Sequence, residues 1–380
     1  MVTELKGFSM NAGLSIKRCL AVVIYNFEPR GVQRSQIRLA NEYASLGYAV
    51  HALVFSERGS LRSSLSTNVR VVDLHATSSK SALCRLVRYL RSERPAFVFS
   101  AEDHVNVAVL LARFLSPSSI RYSVSCHVSP KLWAGHVRIG SKSWFLKKLV
   151  RFFYPRANQS VALSSGMVEE YQELIGLPEG VMKTIYNPVL NHKPRMENSV
   201  EIHRWLSDSS LSVILGVGHL SRIKGFDDLV RAYSRMNDPS NLRLIIVGDG
   251  PEKQNLANLI SELGLVDRVD LVGYQANPEI YMMNADFFVL SSRSEGLPTV
   301  LIEAIGAGCP VVSTRCGGGA IEIMEEGRLG PLVDVGDVEG LATAMQDVLD
   351  NPPDREMLLE SSQRFNTEVV AKQYLEGLMD

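Results

Sequence analysis

The chain has 380 residues, 46% of them hydrophobic, with a formal charge of −1 and five cysteines. That length exceeds what one hydrophobic core usually supports, so it predicts two domains. The longest apolar runs fall short of the ~18 residues a spanning helix needs, so no spanning helix is expected and the chain reads as soluble or peripheral. Cys19, Cys84, Cys126, Cys309 and Cys316 are odd in number and scattered, without metal-ligand spacing, and read as reduced cytosolic thiols.

Charge is divided along the chain. Residues 1–200 carry 26 Lys+Arg against 13 Asp+Glu, leaving 14 against 28 of the totals of 40 and 41 for the rest. A basic first half attracts phosphates, anionic glycans, lipid headgroups or nucleic acid, and charge alone does not choose among them.

In chain order, a polar tail ends near residue 16 and the run CLAVVIYN begins. The nine-residue run CLAVVIYNF is followed by EPRG rather than a small-residue cleavage site, so it reads as a first strand and not a signal peptide. A helix is predicted over 31–46, then strands YAVHALVF and VRVVDLH, a helix over 82–93, and strands AFVFS and IRYSVSC. Short β-branched runs alternating with amphipathic helices predict a parallel sheet covered on both faces. His127 follows IRYSVSC, where ligands bind in such sheets.

Residues 142–156, KSWFLKKLVRFFYPR, alternate basic and aromatic residues at helical spacing. Trp144, Leu146, Leu149, Val150 and Phe153 form a predicted apolar face flanked by Lys147, Lys148 and Arg151, a pattern suited either to core packing or to a bilayer interface. Proline and mixed polar residues over 188–200 read as a linker. A second βα series follows with strands LSVILGVG, LRLIIVGDG, RVDLVGY, ADFFVLSS and CPVVST, and a last helix lies near 368–378. The predicted domains are therefore 1–190 and 191–365, with 366–380 as a terminal helix.

Three turns carry candidate chemistry. GVGHLSRIKG (216–225) leaves a strand and enters a helix at Phe226; its glycines let backbone approach a phosphate and Lys224 supplies charge. As a dinucleotide fingerprint it fails, because Ser221 stands where a third glycine belongs. VGDGPEKQNL (247–256) repeats the pattern, with Pro251 at a predicted helix start and Asp249 as its cap. The third segment, SSRSEGLPTVLIEAIGAGCPVVSTRCGGG (291–319), sets Glu295 and Glu303 eight apart around a predicted helix start at Pro298. The free N–H groups of that first turn form an anion site, and Thr299 and Glu303 share one helix face.

This last segment resembles the Glu-x7-Glu signature of the retaining nucleotide-sugar glycosyltransferases of family 4, which have the two-domain GT-B fold. The resemblance implies an α/β architecture of two Rossmann-like domains around a central cleft, the first binding an acceptor and the second a nucleotide diphosphate sugar. It implies Glu303 on the nucleotide ribose, Glu295 on the sugar hydroxyls, and donor contacts from Gly218, Gly250, Tyr274, Gly296, Leu297, Pro298 and Thr299. His127 and Lys224 would stand with Glu295 at the reaction centre. The family commonly has an arginine where this chain has His219, and histidine makes no bidentate fork; Arg222 is the candidate replacement. Two glycines are common before the first helix, and here Arg30 occupies the first place, leaving Gly31 for the close approach.

The implied reaction is front-face attack, in which the leaving diphosphate accepts the acceptor's proton and the protein stabilises charge growing on it. The implied partners are a nucleotide-sugar donor, a glycan or lipid-linked acceptor and peripheral contact with a membrane, with no nucleic acid and a cytoplasmic location at the membrane's inner face. No Asp-x-Asp occurs, so neither metal nor cofactor is expected beyond the donor as co-substrate. A nucleotide-sugar 2-epimerase or hydrolase of the same fold, and a non-catalytic glycan-binding relative, are the rival readings.

Overall fold

The structure, a computed structural model, describes residues 18–76, 78–134, 137–191, 202–237 and 240–379. The predicted linker at 188–200 lies outside the described residues from 192 onward. Strands β1 (Cys19–Ile24), β2 (Ala49–Val54), β3 (Val69–Asp73), β4 (Phe97–Ala101), β5 (Arg121–Cys126), β6 (Gln159–Ala162) and β7 (Met182–Thr184) form one sheet. Its order is β3-β2-β1-β4-β5-β6-β7, and every pairing is parallel. Strands β8 (Ser212–Val217), β9 (Leu242–Val247), β10 (Val269–Gly273), β11 (Phe287–Leu290), β12 (Val311–Thr314) and β13 (Leu332–Val333) form a second parallel sheet, ordered β10-β9-β8-β11-β12-β13.

The first lobe's helices are α1 (Gly31–Ser45), α2 (Ser79–Glu93), α3 (Asp103–Arg113), α4 (Lys131–Ala134), α5 (Lys142–Phe153) and α6 (Ser165–Glu170). The second has α7 (Phe226–Tyr233), α8 (Lys253–Glu262), α9 (Glu279–Asn284), α10 (Thr299–Gly306), α11 (Gly318–Ile323), α12 (Val338–Asp350), α13 (Arg355–Ser362) and α14 (Thr367–Met379). Parallel strands need helical crossovers, and these cover both faces of each sheet. Alternation in β1 shows the result: Ala21 and Val23 enter one apolar core, Leu20, Val22 and Ile24 the other. In β8, Ile214 faces one core of the second lobe while Val213 and Leu215 face its other core.

The chain returns to the first lobe at its end. Val370, Ala371, Tyr374, Leu375 and Leu378 of α14 join the core that holds Leu20 and Val22. Burying each of the larger side chains is worth about 1.5–3 kcal/mol, so α14 is firmly seated. At the crossing, Leu190 N–H donates to Phe365 O at 3.1 Å, and Thr367 N–H to Leu190 O at 2.8 Å.

Several local expectations change. Pro298 (ψ 92°) is the N-cap and α10 starts at Thr299, one residue later than predicted. Residues 251 and 252 form a turn, and α8 starts at Lys253, so Pro251 does not open it. Asp249 is not its cap either; its Oδ1 accepts from Gly250 N–H at 2.8 Å. In α5, Val150 and Phe153 of the predicted apolar face are buried and Leu146 packs against the core. Phe145 and Phe152, outside that face, are the residues left exposed, together with Leu149.

Candidate active site

The loops that follow β1, β5, β8, β9, β10 and β11 line one cleft of roughly 2180 Å³ between the lobes. A pocket for one small ligand holds about 300–1,000 Å³, so this cleft has room for two substrates. In both sheets it lies at the switch in strand order, between β1 and β4 and between β8 and β11, where ligands bind open α/β sheets.

Lys224 ends a short turn (Arg222–Lys224) after β8. The next residue, Gly225, has φ +62°, and a Cβ there would meet Ser291 O at 2.1 Å; only glycine lets this turn press on the end of β11. That contact brings Lys224 Nζ to 2.5 Å from Glu295 Oε1. The same oxygen accepts from Ser292 Oγ at 2.8 Å. Glu295 N–H donates to Cys316 O at 2.8 Å, and a Cβ on Gly319 would meet Gly296 O at 2.1 Å. The Gly-Gly-Gly run at 317–319 is thus the seat for the Glu295 loop. Side-chain exposures of 24% for Lys224 and 14% for Glu295 place this pair in a partly desolvated wall, where charge-assisted contacts are strong.

Downstream, the N–H groups of Thr299 and Val300 have no acceptor among the described residues, and both residues line the cleft. With the helix dipole they make an anion-binding tip beside Lys224 and Glu295. One turn further, Glu303 keeps 31% of its side chain open yet is crowded by both lobes, and burial raises its pKa. Arg38 from α1 opposes that shift, with Nη2 3.9 Å from Glu303 Oε1, and also donates to Pro188 O at 3.2 Å.

On the opposite wall, a Cβ on Gly296 would lie 3.8 Å from His127 O, so the lobes nearly touch there. His127 Nε2 is 3.0 Å from Ser125 Oγ, and burial lowers its pKa to about 4. The ring is therefore neutral near pH 7, available as hydrogen-bond donor or acceptor but not as a cation. Asn106 holds the preceding strand end, its Nδ2 donating to Ser125 O at 2.8 Å, while Tyr154 and Tyr171 donate to the buried Asp103 at 2.5 and 2.9 Å. Because Ser125 is the partner of His127, this polar block sets the ring's position.

Of the residues singled out by sequence, Gly31, His127, Gly218, His219, Lys224, Gly250, Tyr274, Glu295, Leu297, Pro298, Thr299 and Glu303 all line the cleft. Gly296 lies at the lobe contact just described. Arg222 is not among the lining residues: its side chain is 87% exposed, with Nε 3.5 Å from Glu252 Oε1. It therefore does not stand in for the arginine that His219 replaces. Tyr274 is 70% exposed and belongs to the cleft rather than the core.

Two family descriptions divide the chain between them: Glycosyltransferase Family 4 matches residues 29–190 and Glycosyl transferases group 1 matches 200–365. The chain belongs to glycosyltransferase family 4. It is 33% identical over 53% of its length to an N-acetylgalactosamine-N,N'-diacetylbacillosaminyl-diphospho-undecaprenol 4-alpha-N-acetylgalactosaminyltransferase of Campylobacter jejuni, of which 54% is covered. It is 36% identical over 43% of its length to the lipopolysaccharide core biosynthesis glycosyltransferase LpsD of Rhizobium meliloti, 48% of which is covered. The chain thus spans about half the length of the curated relatives it matches. The structure of HepE from Anabaena in complex with UDP superimposes with a TM-score of 0.75 at 21% identity, covering 95% of this chain and 99% of that one. The outer core galactosyltransferase WaaB gives 0.72 at 19% identity, with 95% and 99% covered. At these identities the likeness establishes the GT-B fold.

Within this family 4 glycosyltransferase, sequence reasoning missed the cleft face of α1. Arg30, Arg34 and Arg38 recur every four residues and all line the cleft. Arg30 was read from the sequence just ahead of the predicted helix, and Arg34 and Arg38, one turn apart on it, were the available signal. Ser292, which orients Glu295, gave none, since serine in a loop is ordinary.

Proposed function

We propose that the chain is a retaining glycosyltransferase that moves a hexose or N-acetylhexosamine from a nucleotide diphosphate sugar to a glycan or lipid-linked acceptor in cell-surface polysaccharide or glycolipid synthesis. A uridine diphosphate sugar is the first choice of donor and guanosine diphosphate mannose the second. The carrying observation is the convergence in one cleft of the Lys224–Glu295 pair, the open amides of Thr299 and Val300, and the neutral His127 on the facing wall. HepE was crystallised with UDP, and LpsD is a lipopolysaccharide core enzyme by name, which agrees with this donor and product class.

In this reading the diphosphate lies on the Thr299–Val300 tip with Lys224 beside it and Gly218, His219 and Gly31 approaching through backbone or ring. Glu303 accepts from the ribose hydroxyls, Tyr274 borders the base, and Glu295 accepts from a sugar hydroxyl. The acceptor oxygen bonds to the anomeric carbon on the face from which the diphosphate departs. The C–O bond to the diphosphate breaks, and the acceptor's proton passes to a diphosphate oxygen. Lys224 and the two amides carry the growing negative charge, so no metal is needed for that task. His127 contributes a neutral hydrogen bond at the sugar. The protein works in the cytoplasm at the inner face of a membrane.

A panel of nucleotide sugars screened by thermal shift tests the donor, because a ligand bound only by the folded chain raises the melting temperature. With the stabilising donor, formation of product with the donor's anomeric configuration supports the proposal. Free nucleotide plus altered or hydrolysed sugar in the absence of acceptor would instead establish the epimerase or hydrolase reading. No shift with any donor would favour the non-catalytic one.

A further inference from the structure

Between Asp103 and Glu169 the chain contains no Asp or Glu, while residues 104–168 include nine Lys and Arg. This acid-free stretch spans α3 to α6 and ends its first strand at His127, so it borders the cleft. Its helices also leave large apolar side chains in solvent. Phe145 (55% exposed), Leu149 and Phe152 lie at i, i+4 and i+7 of α5, on one face. Phe114 (60% exposed) and Leu115 continue that face from the end of α3, linked through Phe153, whose ring is 5.8 Å from Phe114 and 5.1 Å from Phe152. The cations are interleaved with the rings: Lys148 Nζ lies 3.8 Å from the Trp144 ring centre and the Arg156 guanidinium 3.8 Å from that of Phe152.

We infer that this face is a docking surface for an anionic phospholipid bilayer, on which α5 lies in the interface plane. Exposed aromatic and aliphatic side chains flanked by Lys and Arg suit the boundary between headgroups and acyl chains, with each ring in the apolar layer and each cation at a phosphate. A second copy of the chain fits poorly, since apposing two faces that each carry Lys142, Lys148 and Arg156 is repulsive. Spanning is not the mode, as no helix among the described residues is long and apolar enough to cross a membrane. The face shares Leu149 with the one the sequence pattern selected, whose Val150 and Phe153 are turned into the core. It deepens the proposed function, and rests on it for purpose: an acceptor carried by a lipid would reach the cleft beside His127 from the surface on which the first lobe sits.

The test is co-sedimentation of the full chain, without donor or acceptor, with vesicles of phosphatidylcholine alone and of phosphatidylcholine with phosphatidylglycerol. Binding to the anionic vesicles that weakens with added salt is expected. Phe145→Ser with Phe152→Ser abolishes it, and Lys142→Glu with Lys148→Glu lowers it at least about 30-fold, as each cation near such a surface contributes about fivefold. The charge variants keep Phe145, Leu149 and Phe152 and serve as the second arm should the Phe variants unfold; an unchanged melting temperature verifies that they stay folded without the Lys148–Trp144 contact. Equal binding to both vesicle types, no binding to either, or a concentration-dependent dimer that the Phe changes dissolve would each overturn the inference. Because no turnover is measured, failure here leaves the transfer reaction standing, and failure of transfer leaves vesicle binding standing.

Discussion

Replacing Lys224 by Met removes the cation from the cleft wall while keeping most of the side-chain volume. Two unit charges about 4 Å apart at an effective dielectric of about 20 interact by about 4 kcal/mol, and removing one aligned donor from a developing oxyanion costs about 10²–10³ in rate. We therefore expect kcat/KM for transfer to fall about 10²–10³-fold, equivalent to about 3–4 kcal/mol of transition-state stabilisation. Glu295 is then left with Ser292 as its side-chain partner, so folding stability falls as well, by about 1–3 kcal/mol for a partly desolvated carboxylate. Adding Glu295→Gln separates the two effects. The double variant recovers melting temperature; its activity falls well below that of Glu295→Gln alone if Lys224 serves the diphosphate, and equals it if the task of Lys224 is only to neutralise Glu295. Single-turnover transfer with the donor found by thermal shift supplies the rate, and calorimetric titration of the matching nucleoside diphosphate supplies the affinity. Activity of Lys224→Met within about threefold of the parent, under 1 kcal/mol, would refute the reasoning.

The folded chain holds His127 neutral down to about pH 4, whereas the unfolded chain protonates it near 6.5, so acidification across that window favours unfolding by up to about 3 kcal/mol. Urea midpoints from pH 7 to 4 should fall less steeply for His127→Gln than for the parent, and parallel curves would contradict the burial argument. Glu303→Gln should weaken nucleoside diphosphate binding about 10- to 100-fold in calorimetry, the range for one hydrogen bond to a charged group. Gly31→Ala meets no atom within 4 Å and should leave the melting temperature unchanged while lowering transfer. Gly248→Ala, at φ +148° with its Cβ 1.8 Å from Gly218 O, should cost at least about 2 kcal/mol in denaturant unfolding. A metal chelator should leave the initial rate of transfer within about twofold; rescue of a chelated, inactive enzyme by a divalent ion would remove the metal-free proposal.

The βα rhythm was legible because parallel strands buried on both faces are written as unbroken apolar runs, as in CLAVVIYN and LRLIIVGDG. The second lobe's site was legible for a different reason: its chemistry is held by glycines and prolines at fixed offsets, and Gly225 and Gly319 turn out to be places where a Cβ would strike a carbonyl. The first lobe's site was less visible. β6 and β7 are four and three residues long, too short to show a period, and no turn signal marks the four-residue spacing of Arg30, Arg34 and Arg38. Helix α5 shows a further limit: it is apolar on more than one side, so periodicity alone could not decide which side meets the core. That was settled by Phe153 and Val150 packing under α3, a tertiary choice. Arg222 was misplaced because proximity in sequence to His219 says nothing of direction, and its guanidinium turned toward Glu252 on the outer surface.

The chain passes between its two lobes twice, before β8 and again before α14, and at the second passage Leu190 and Asn366 are bridged side by side. Two tethers fastened together behave like the spine of a book. A swing of the covers about that line would be tolerated, whereas a twist of one against the other would strain the bridged pair. Only the first of these would carry Gly296 straight toward or away from His127, whose carbonyl oxygen a Cβ on Gly296 would now approach to 3.8 Å.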